Sequence, residues 1–235
     1  MTDRVVLITG GSKGIGRAMA EAFRDAGYPV AATYRSGAVP DGVLGVECDV
    51  TSQDSVDAAF QQVEDKLGSV DVLVANAGVT NDGLLMRMSD EDWAQTIDTN
   101  LTGTFRVVRR ASRQMTRARF GRMILISSVV GLMGNPGQVN YASSKAALVG
   151  MARSITREIG VRGVTCNVIA PGFIDTDMTK VLGPEVIKGY EQRIPAGRLG
   201  SVDDVAAAAL FLAGDGAGYI SGAVIPVDGG LGMGH

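Results

Sequence analysis

Short apolar runs alternate along the chain with longer stretches in which apolar residues recur every three or four positions. The apolar runs predict buried strands at residues 5–9, 29–34, 43–50, 70–74, 123–126, 163–169 and 223–227. The three- and four-residue periodicity predicts helices between Gly16 and Gly27, at 54–67, from Asp90 to Met115, at 140–160 and at 202–212. This alternation predicts an α/β fold: a single doubly wound, Rossmann-like parallel sheet of about seven strands with helices on both faces.

One segment interrupts the regular pattern. Residues 175–200 show weak periodicity and contain Pro184, Pro195 and several glycines, so we expect a mobile lid over a substrate site. No repeat, low-complexity tract or second domain is visible in the sequence. Residues 1–235 are therefore expected to form one dinucleotide-binding and catalytic domain.

Composition narrows the class of protein. Hydrophobic residues make up 46% and charged residues 20% of the 235 residues, which is typical of a well-buried globular enzyme and excludes a disordered or fibrous chain. The net charge of −3 argues against nucleic acid as a partner. The sequence opens into its first strand without a secretory signal, and no apolar run reaches the length of about 18 residues that spans a membrane, so a cytoplasmic protein is expected.

Cysteine and histidine restrict the chemistry further. Cys48 and Cys166 lie far apart, each in or after an apolar run, which favours reduced core thiols over a disulfide or a metal site. The only histidine is His235. This nearly excludes metal-dependent dehydrogenases and hydrolases that need histidine, so no metal site is expected.

A glycine-rich loop follows the first predicted strand. Gly10-Gly11-Ser12-Lys13-Gly14-Ile15-Gly16 connects that strand to an amphipathic helix. Glycines allow the backbone to approach a pyrophosphate, which binds at a helix N-terminus. The spacing G-x-x-x-G-x-G differs from the commoner G-x-G-x-x-G, and a tight turn without a ligand is the alternative. The strand before the loop and the helix after it favour nucleotide binding.

The end of the second strand indicates which cofactor the loop would bind. An acidic residue at this position suits the ribose of NAD, whereas an arginine suits the 2′-phosphate of NADP. The chain has Arg35 there and no carboxylate before Asp41, and Lys13 adds a cation in the glycine loop. Two cations without an acid favour NADP(H), although either side chain alone could equally be a solvated surface charge.

Candidate catalytic chemistry lies at Tyr141 and Lys145, which are four residues apart on a predicted helix and about 6 Å apart along its axis. An ammonium beside a phenol favours the phenolate, so the pKa of Tyr141 is predicted to fall from about 10 towards neutral pH, which suits a general acid or base. Ser128 closes the predicted strand at 123–126, where ligands bind in such sheets. A half-buried ring beside a solvated cation is the commoner explanation of such a pair, and a mid-helix residue such as Asn100 usually faces solvent.

Taken together, these motifs resemble the short-chain dehydrogenase/reductase family. They are Thr9-Gly10-x-x-x-Gly14-x-Gly16, Asn76-Ala77-Gly78, Asn100, Ser128, Tyr141-x-x-x-Lys145 and Pro171-Gly172, in the family's order and at its intervals. Residues 81–88, 131–135, 171–178 and 194–200 are similar to bacterial 3-oxoacyl-[acyl-carrier-protein] reductases, and the tail at 229–235 to mycobacterial members. The resemblance implies NADPH-dependent reduction of 3-oxoacyl-acyl-carrier-protein thioesters to (3R)-3-hydroxyacyl products in type II fatty acid synthesis.

The resemblance also implies roles for individual residues. Tyr141 would protonate the substrate carbonyl as hydride arrives, and Ser128 would hydrogen-bond the same oxygen. Lys145 would lower the pKa of the tyrosine and bind the nicotinamide ribose, while Asn100, through a local helix distortion, would hold a water that relays protons to the lysine. Contacts with NADP(H) are expected at Gly10, Ser12, Lys13, Gly14, Ile15, Gly16, Arg35, Asp49, Val50, Asn76, Ala77, Gly78, Tyr141, Lys145, Pro171, Gly172, Ile174 and Thr176.

Partners follow from the same resemblance. An acidic acyl carrier protein is expected to contact Arg119 and Arg162 beside the active-site entrance, with Arg113, Arg117 and Arg122 adding to a basic rim, although each could equally be an ordinary solvated arginine. A homotetramer that packs the helix of Tyr141 against its counterpart is expected. The alternatives are a reductase of the same family for acetoacetyl-coenzyme A or a polyketide, a non-catalytic NADP(H) sensor, and a methyltransferase-like fold, which would have no use for Ser128, Tyr141 and Lys145.

Overall fold

The protein is built on a parallel seven-stranded sheet, as seen in a computed structural model that describes residues 3–176 and 183–233. The strand order is β3-β2-β1-β4-β5-β6-β7. The strands are β1 Val5–Ile8, β2 Val30–Tyr34, β3 Leu44–Glu47, β4 Val70–Ala75, β5 Gly121–Ile126, β6 Val164–Pro171 and β7 Val224–Val227. All seven predicted strands are confirmed, although β3 is shorter than the predicted run at 43–50.

Helices connect the strands and cover both faces of the sheet. They are α1 Gly14–Asp25, α2 Gln53–Lys66, α3 Asp90–Ile97, α4 Gly103–Ala118, α5 Val130–Met133, α6 Val139–Ile159, α7 Pro184–Glu191 and α8 Val202–Ala213. Short 3₁₀ turns lie at Leu85–Arg87, Gly160–Arg162 and Asp215–Ala217. The single long helix predicted from Asp90 is two α-helices, α3 and α4, joined by a π-helical turn at Asp98–Thr102.

The segment expected to form a lid is more regular than its sequence suggests. Its described part contains α7, which begins with Pro184 in the first turn, where proline is well tolerated. The segment is also joined at its base, because Ile174 and Gly200 form an isolated parallel bridge. Residues 177–182 lie outside the described part, and the mobility of the segment stays a prediction.

The core has two layers because successive strand residues face opposite sides of the sheet. Leu7 packs in one cluster with Phe60 of α2, Met115 of α4 and Leu148 of α6. Val6 and Ile8 pack in the other cluster with Met19 and Phe23 of α1 and Leu212 of α8. Both faces are therefore sealed by helices, as a doubly wound sheet requires.

The buried layers also contain the two thiols. Cys48 and Cys166 are both free and buried, and burial raises the pKa of the Cys166 thiol to about 12. The prediction of reduced core thiols is therefore confirmed. Among the helices that the structure describes, none is both long enough and apolar enough to cross a membrane.

Strand order determines where a ligand can bind. The chain proceeds outwards from β1 to β2 and β3, and then returns to place β4 on the other side of β1. Helices on either side of this reversal point leave a crevice at the carboxyl ends of the strands. The glycine loop after β1, residues 76–79 after β4, Ser128 after β5 and Gly172 after β6 all lie at this edge.

Candidate active site

Tyr141 and Lys145 lie in the first turns of α6, whose start is fixed by a buried asparagine. Asn140 Nδ2 donates to Asn81 O at 2.9 Å and to Thr96 Oγ1 at 3.0 Å. These bonds tie the start of α6 to the loop after β4 and to α3. The position of the tyrosine therefore depends on contacts distant in sequence.

Lys145 is almost completely buried, with 4% of its surface exposed. Its Nζ donates to Ile126 O at 2.8 Å and lies 5.7 Å from the centroid of the Tyr141 ring. Burial lowers the pKa of Lys145 from 10.5 to about 8. The ammonium is thus still the main form at neutral pH, and its charge lies beside the aromatic ring.

The predicted effect of the lysine on the tyrosine is wrong in this structure. The pKa of Tyr141 is raised above 10.0, first because burial disfavours the phenolate, and also because the Asp82 carboxylate repels it. A hydrogen bond with Ser128 acts in the opposite direction but does not prevail. The Lys145 ammonium donates its hydrogen bond to Ile126 O, a carbonyl oxygen of β5. At neutral pH Tyr141 is therefore protonated, which is the form that can donate a proton.

Ser128 is the second residue after β5 and is 9% exposed. Its Oγ accepts a hydrogen bond from Val130 N at 3.2 Å and also interacts with the Tyr141 side chain. The adjacent Ser127 donates through Oγ to Lys145 O at 2.8 Å, which fastens the tip of β5 to α6. The hydroxyl groups of Ser128 and Tyr141 consequently face the same point at the carboxyl edge of the sheet.

Asn100 is completely buried in the π-helical turn. Its Oδ1 accepts from Val79 N at 2.8 Å, while its Nδ2 donates to Val79 O at 2.9 Å and to Ser144 Oγ at 3.1 Å. The asparagine does not face solvent as a mid-helix asparagine usually does, and the helix distortion expected from the resemblance is present. It clamps the loop after β4 to α6.

Gly78 brings that loop close to Lys145. A Cβ atom at this position would lie 3.2 Å from Asn100 Oδ1 and 3.4 Å from Lys145 Nζ. The first distance is tighter than ordinary van der Waals contact and the second lies at its limit, so a larger residue would press on the Asn100 amide. The glycine of the predicted Asn76-Ala77-Gly78 motif therefore permits this close approach.

The glycine loop has the compact form that a pyrophosphate site requires. Gly10 and Gly14 have positive φ angles of 69° and 54°, which favour glycine. A Cβ on Gly16 would overlap Gly10 O and lie 2.5 Å from Asn76 Nδ2. The Asn76 amide itself donates to Thr9 O at 3.0 Å and Gly10 O at 3.1 Å, joining the loops after β1 and β4. The backbone is thus open for a phosphate at the start of α1, and these residues fit a dinucleotide.

Cations surround the end of β2, as the sequence predicts. Arg35 and Lys13 are both exposed, and within residues 3–176 and 183–233 no carboxylate forms an ion pair with either one. A Cβ on Gly37 would lie 3.8 Å from Ser12 Cβ, so the Arg35 loop adjoins the glycine loop. The charge of Arg35 also reaches Asp49, where it helps to lower the pKa of the carboxyl group, after the larger effect of hydrogen bonds from Thr51.

A cleft of about 380 Å³ lies at this edge of the sheet. The predicted site residues in its lining are Ile15, Asn76, Gly78, Ser128, Tyr141, Lys145, Pro171, Gly172, Ile174 and Thr176. The other predicted cofactor residues, Gly10, Ser12, Lys13, Gly14, Gly16, Arg35, Asp49, Val50 and Ala77, lie outside this lining, in the glycine loop or just after β2, β3 and β4. Asn100 lies behind the cleft, where it holds the loop after β4.

Sequence reasoning missed several residues in the lining: Val79, Asp82, Asn135, Gln138, Phe173 and Tyr190. Asp82, Asn135 and Phe173 stand inside the stretches that carried the resemblance, so their positions there were a usable signal. Gln138 lies three residues before Tyr141, near one turn of helix away. Tyr190 had no signal, because the sequence around it shows no clear periodicity.

The structure corrects the position of the two arginines expected at the entrance. Arg119 follows α4 and precedes β5, while Arg162 ends a 3₁₀ turn and precedes β6. Both are exposed, and Gly121 pairs with Val164 where these strands begin. The cleft lies at the carboxyl ends of the same parallel strands. Arg119 and Arg162 are therefore at the opposite end of the sheet from the cleft of their own subunit.

Arg122 also departs from the expected basic rim. It is 5% exposed, lies 4.5 Å from the centroid of the Phe120 ring and donates to Gly121 O and Gly163 O. Its Nε has no hydrogen-bond partner in the part of the chain that is described. Burial, followed by the charge of Arg4, lowers the pKa of Arg122. This side chain is structural and cannot contact a carrier protein.

Across residues 3–176 and 183–233, no three histidine, cysteine, aspartate or glutamate side chains are grouped so that they could hold a metal ion.

Comparison with known proteins places the chain in a family. The family described as enoyl-(acyl carrier protein) reductase matches residues 10–232, and the chain belongs to the short-chain dehydrogenase/reductases, which bind a nicotinamide cofactor. The 3-oxoacyl-[acyl-carrier-protein] reductase MabA of Mycobacterium tuberculosis is 55% identical over 233 residues, covering 99% of this chain and 94% of the relative. FabG of Escherichia coli, a 3-oxoacyl-[acyl-carrier-protein] reductase, is 45% identical over 238 residues, 98% of each chain. The resemblance found in the motifs is therefore confirmed, both to the family and to the 3-oxoacyl-[acyl-carrier-protein] reductases within it.

Proposed function

We propose that the protein is an NADPH-dependent reductase of 3-oxoacyl-acyl-carrier-protein thioesters that forms (3R)-3-hydroxyacyl products in fatty acid synthesis. The observation that carries this proposal is the convergence of Ser128, Tyr141 and Lys145 on one cleft beside the glycine loop. Relatives that bear this activity in their names span nearly the full chain at 45% to 55% identity, which supports the substrate class.

The residues of the cleft divide the work of carbonyl reduction. The bound cofactor supplies a hydride to the carbonyl carbon. Ser128 and Tyr141 donate hydrogen bonds to the carbonyl oxygen, and Tyr141 transfers its proton to that oxygen as negative charge develops. The ammonium of Lys145 stabilises the tyrosinate that remains until it is protonated again, and Asn100 keeps the loop at Gly78 in place around the lysine.

The proposed preference for NADPH over NADH rests on the positive charge of two side chains. Arg35 and Lys13 would contact the 2′-phosphate of NADPH, which NADH lacks, because both are exposed cations beside the glycine loop. No carboxylate stands at the end of β2 to favour a free ribose hydroxyl, since the residues that follow Tyr34 are Arg35 and Ser36.

Assembly and partner are proposed from the surface and the relatives. Phe105 of α4 is 44% exposed, and a Cβ on Gly150 of α6 would meet nothing within 4 Å, so these helices offer an unfilled face for a homotetramer. The substrate would arrive on an acyl carrier protein, and the segment at 175–200 would act as a lid over the bound chain.

The first test is the oxidation of NADPH with acetoacetyl-acyl-carrier protein, compared with NADH and with acetoacetyl-coenzyme A. Tyr141→Phe is expected to lower kcat by at least a hundredfold while NADPH still binds, because the variant lacks the proton donor. Faster turnover of the coenzyme A thioester would favour the alternative reductase. Binding of NADPH without turnover of any ketone would favour a sensor.

A further inference from the structure

Ser128 separates two sides of the cleft, one next to β4 and the other next to β6. Strands β4, β5 and β6 are neighbours in that order, and Ser128 follows the middle one. Asp82 lies in the loop after β4 and Phe173 in the loop after β6, and all three residues line the same cleft. A ketone whose oxygen is held at Ser128 and Tyr141 has two substituents, so each side of the cleft is available to one of them.

The β4 side carries hydrogen-bonding groups. Gln138 Nε2 donates to Asp82 Oδ2 at 2.9 Å, and Asn135 Nδ2 donates to Gln138 Oε1 at 2.9 Å. Asp82 and Asn135 are exposed, so this side opens to solvent. An alkyl chain placed here would cover a carboxylate and two amides without replacing their bonds to water, which is unfavourable.

The β6 side is aromatic. Phe173 stacks against Tyr190 of α7, with ring centroids 3.7 Å apart and ring planes at 30°. Each methylene group removed from water against such a surface favours binding about fourfold. An alkyl chain therefore gains most on this side.

We propose that the Phe173–Tyr190 pair binds the alkyl chain of the 3-oxoacyl substrate and sets the preference for chain length, while the thioester arm with its amides lies along Asn135 and Gln138. This assignment rests on the proposed function, since it needs a substrate with one alkyl and one amide-bearing substituent. It makes Tyr190 a specificity residue that acts on the alkyl chain and has no part in proton transfer.

The test compares two N-acetylcysteamine thioesters that share the amide-bearing arm, 3-oxobutanoyl and 3-oxooctanoyl. The readout is the ratio of kcat/KM for the longer substrate to that for the shorter one, which does not depend on the fraction of folded enzyme. Tyr190→Ala is expected to lower this ratio about fifteenfold, because the contacts of about two methylene groups are lost. Tyr190→Phe keeps the ring and is expected to keep the ratio. The control is Tyr219→Ala, which removes a fully exposed tyrosine outside the cleft.

Three outcomes would overturn the assignment. One is an unchanged ratio in Tyr190→Ala, and another is an equal loss in Tyr190→Phe, which would assign the effect to the hydroxyl group. The third concerns the other arm of the substrate: Tyr190→Ala would lower kcat/KM selectively for a substrate whose amide-bearing arm is extended from N-acetylcysteamine to pantetheine. That result would mean that the two arms are reversed. Failure of the proposed function is distinct, because the wild-type enzyme would then reduce neither thioester.

Discussion

At the scale of single residues, the site depends on a buried charge that weakens the fold. Lys145 is 4% exposed, and its pKa falls from 10.5 to about 8 because burial disfavours the ammonium. That difference corresponds to about 3 kcal/mol of lost stability while both states are charged. Below pH 8 the full cost is present. Between about pH 8 and 10.5 the unfolded chain binds more protons than the folded one, so this contribution to the free energy of unfolding rises with pH.

Lys145→Met is therefore expected to stabilise the protein and abolish its activity. Methionine has a similar length without the charge, so the cost of burying the ammonium is removed. The variant also loses the hydrogen bond to Ile126 O, and this loss cancels about 1 kcal/mol of the gain in stability. We expect the free energy of unfolding to rise by about 2 kcal/mol at pH 7, with a smaller gain at pH 10, as measured by urea denaturation. Lys188→Met, at an exposed position, is the control and should change the free energy of unfolding by less than about 0.5 kcal/mol. A less stable Lys145→Met at pH 7 would contradict the burial argument.

The tyrosine illustrates what the sequence can and cannot reveal about a residue. The i, i+4 spacing of Tyr141 and Lys145 was enough to predict that they would lie together, and they do. Their spacing could not reveal that the ammonium would bond to Ile126 O or that burial would raise the pKa of the tyrosine, because both depend on β5 packing beneath α6. The pKa of a buried group is a property of the folded environment.

At the scale of elements, the π-helical turn is the feature that periodicity could not show. The π-helical turn at Asp98–Thr102 is a change in backbone hydrogen bonding, which the spacing of apolar side chains does not record. The pattern therefore predicted one helix from Asp90 to Met115. What the turn provides is a buried amide at Asn100 that both donates to and accepts from the backbone of Val79.

Asn100→Ala is expected to lower the free energy of unfolding by about 2–4 kcal/mol. The variant leaves the backbone N–H and C=O of Val79 without partners in a partly buried place, at about 1–3 kcal/mol for each unsatisfied group. We also expect kcat to fall at least tenfold, because Gly78 no longer has a fixed position against Lys145. Urea denaturation and initial rates would measure the two effects. Asn135→Ala removes an exposed amide and serves as the stability control, and wild-type stability in Asn100→Ala would contradict a clamping role.

At the scale of the whole molecule, the alternation of strands and helices was sufficient to predict the sheet, and the motifs were sufficient to predict its reactive edge. Alternation works because a parallel sheet needs a crossover after each strand, so chain order nearly determines topology. The same reasoning could have located Arg119 and Arg162, which were instead assigned from the resemblance. Both precede predicted strands, at 123–126 and 163–169, and in a parallel sheet this places them at the amino ends of β5 and β6, away from the cleft.

Cofactor binding should stabilise the whole fold, because the dinucleotide would contact loops from β1, β2 and β4 together. NADPH at a hundred times its Kd is expected to raise the free energy of unfolding by about 2.7 kcal/mol. Arg35→Glu should weaken NADPH binding at least tenfold, which removes about 1.4 kcal/mol of that gain at the same concentration. The stabilisation by NADH should be retained, since it has no 2′-phosphate to be repelled.

Thermal denaturation with each cofactor in turn would separate these effects, with Arg113→Glu, an exposed position on α4, as the charge-matched control that should change neither. Equal losses with NADPH and NADH in Arg35→Glu would mean that the arginine supports the loop and not the phosphate. Undiminished stabilisation by NADPH would mean that the phosphate binds elsewhere. A selective loss would assign the cofactor preference to the charge at the end of β2.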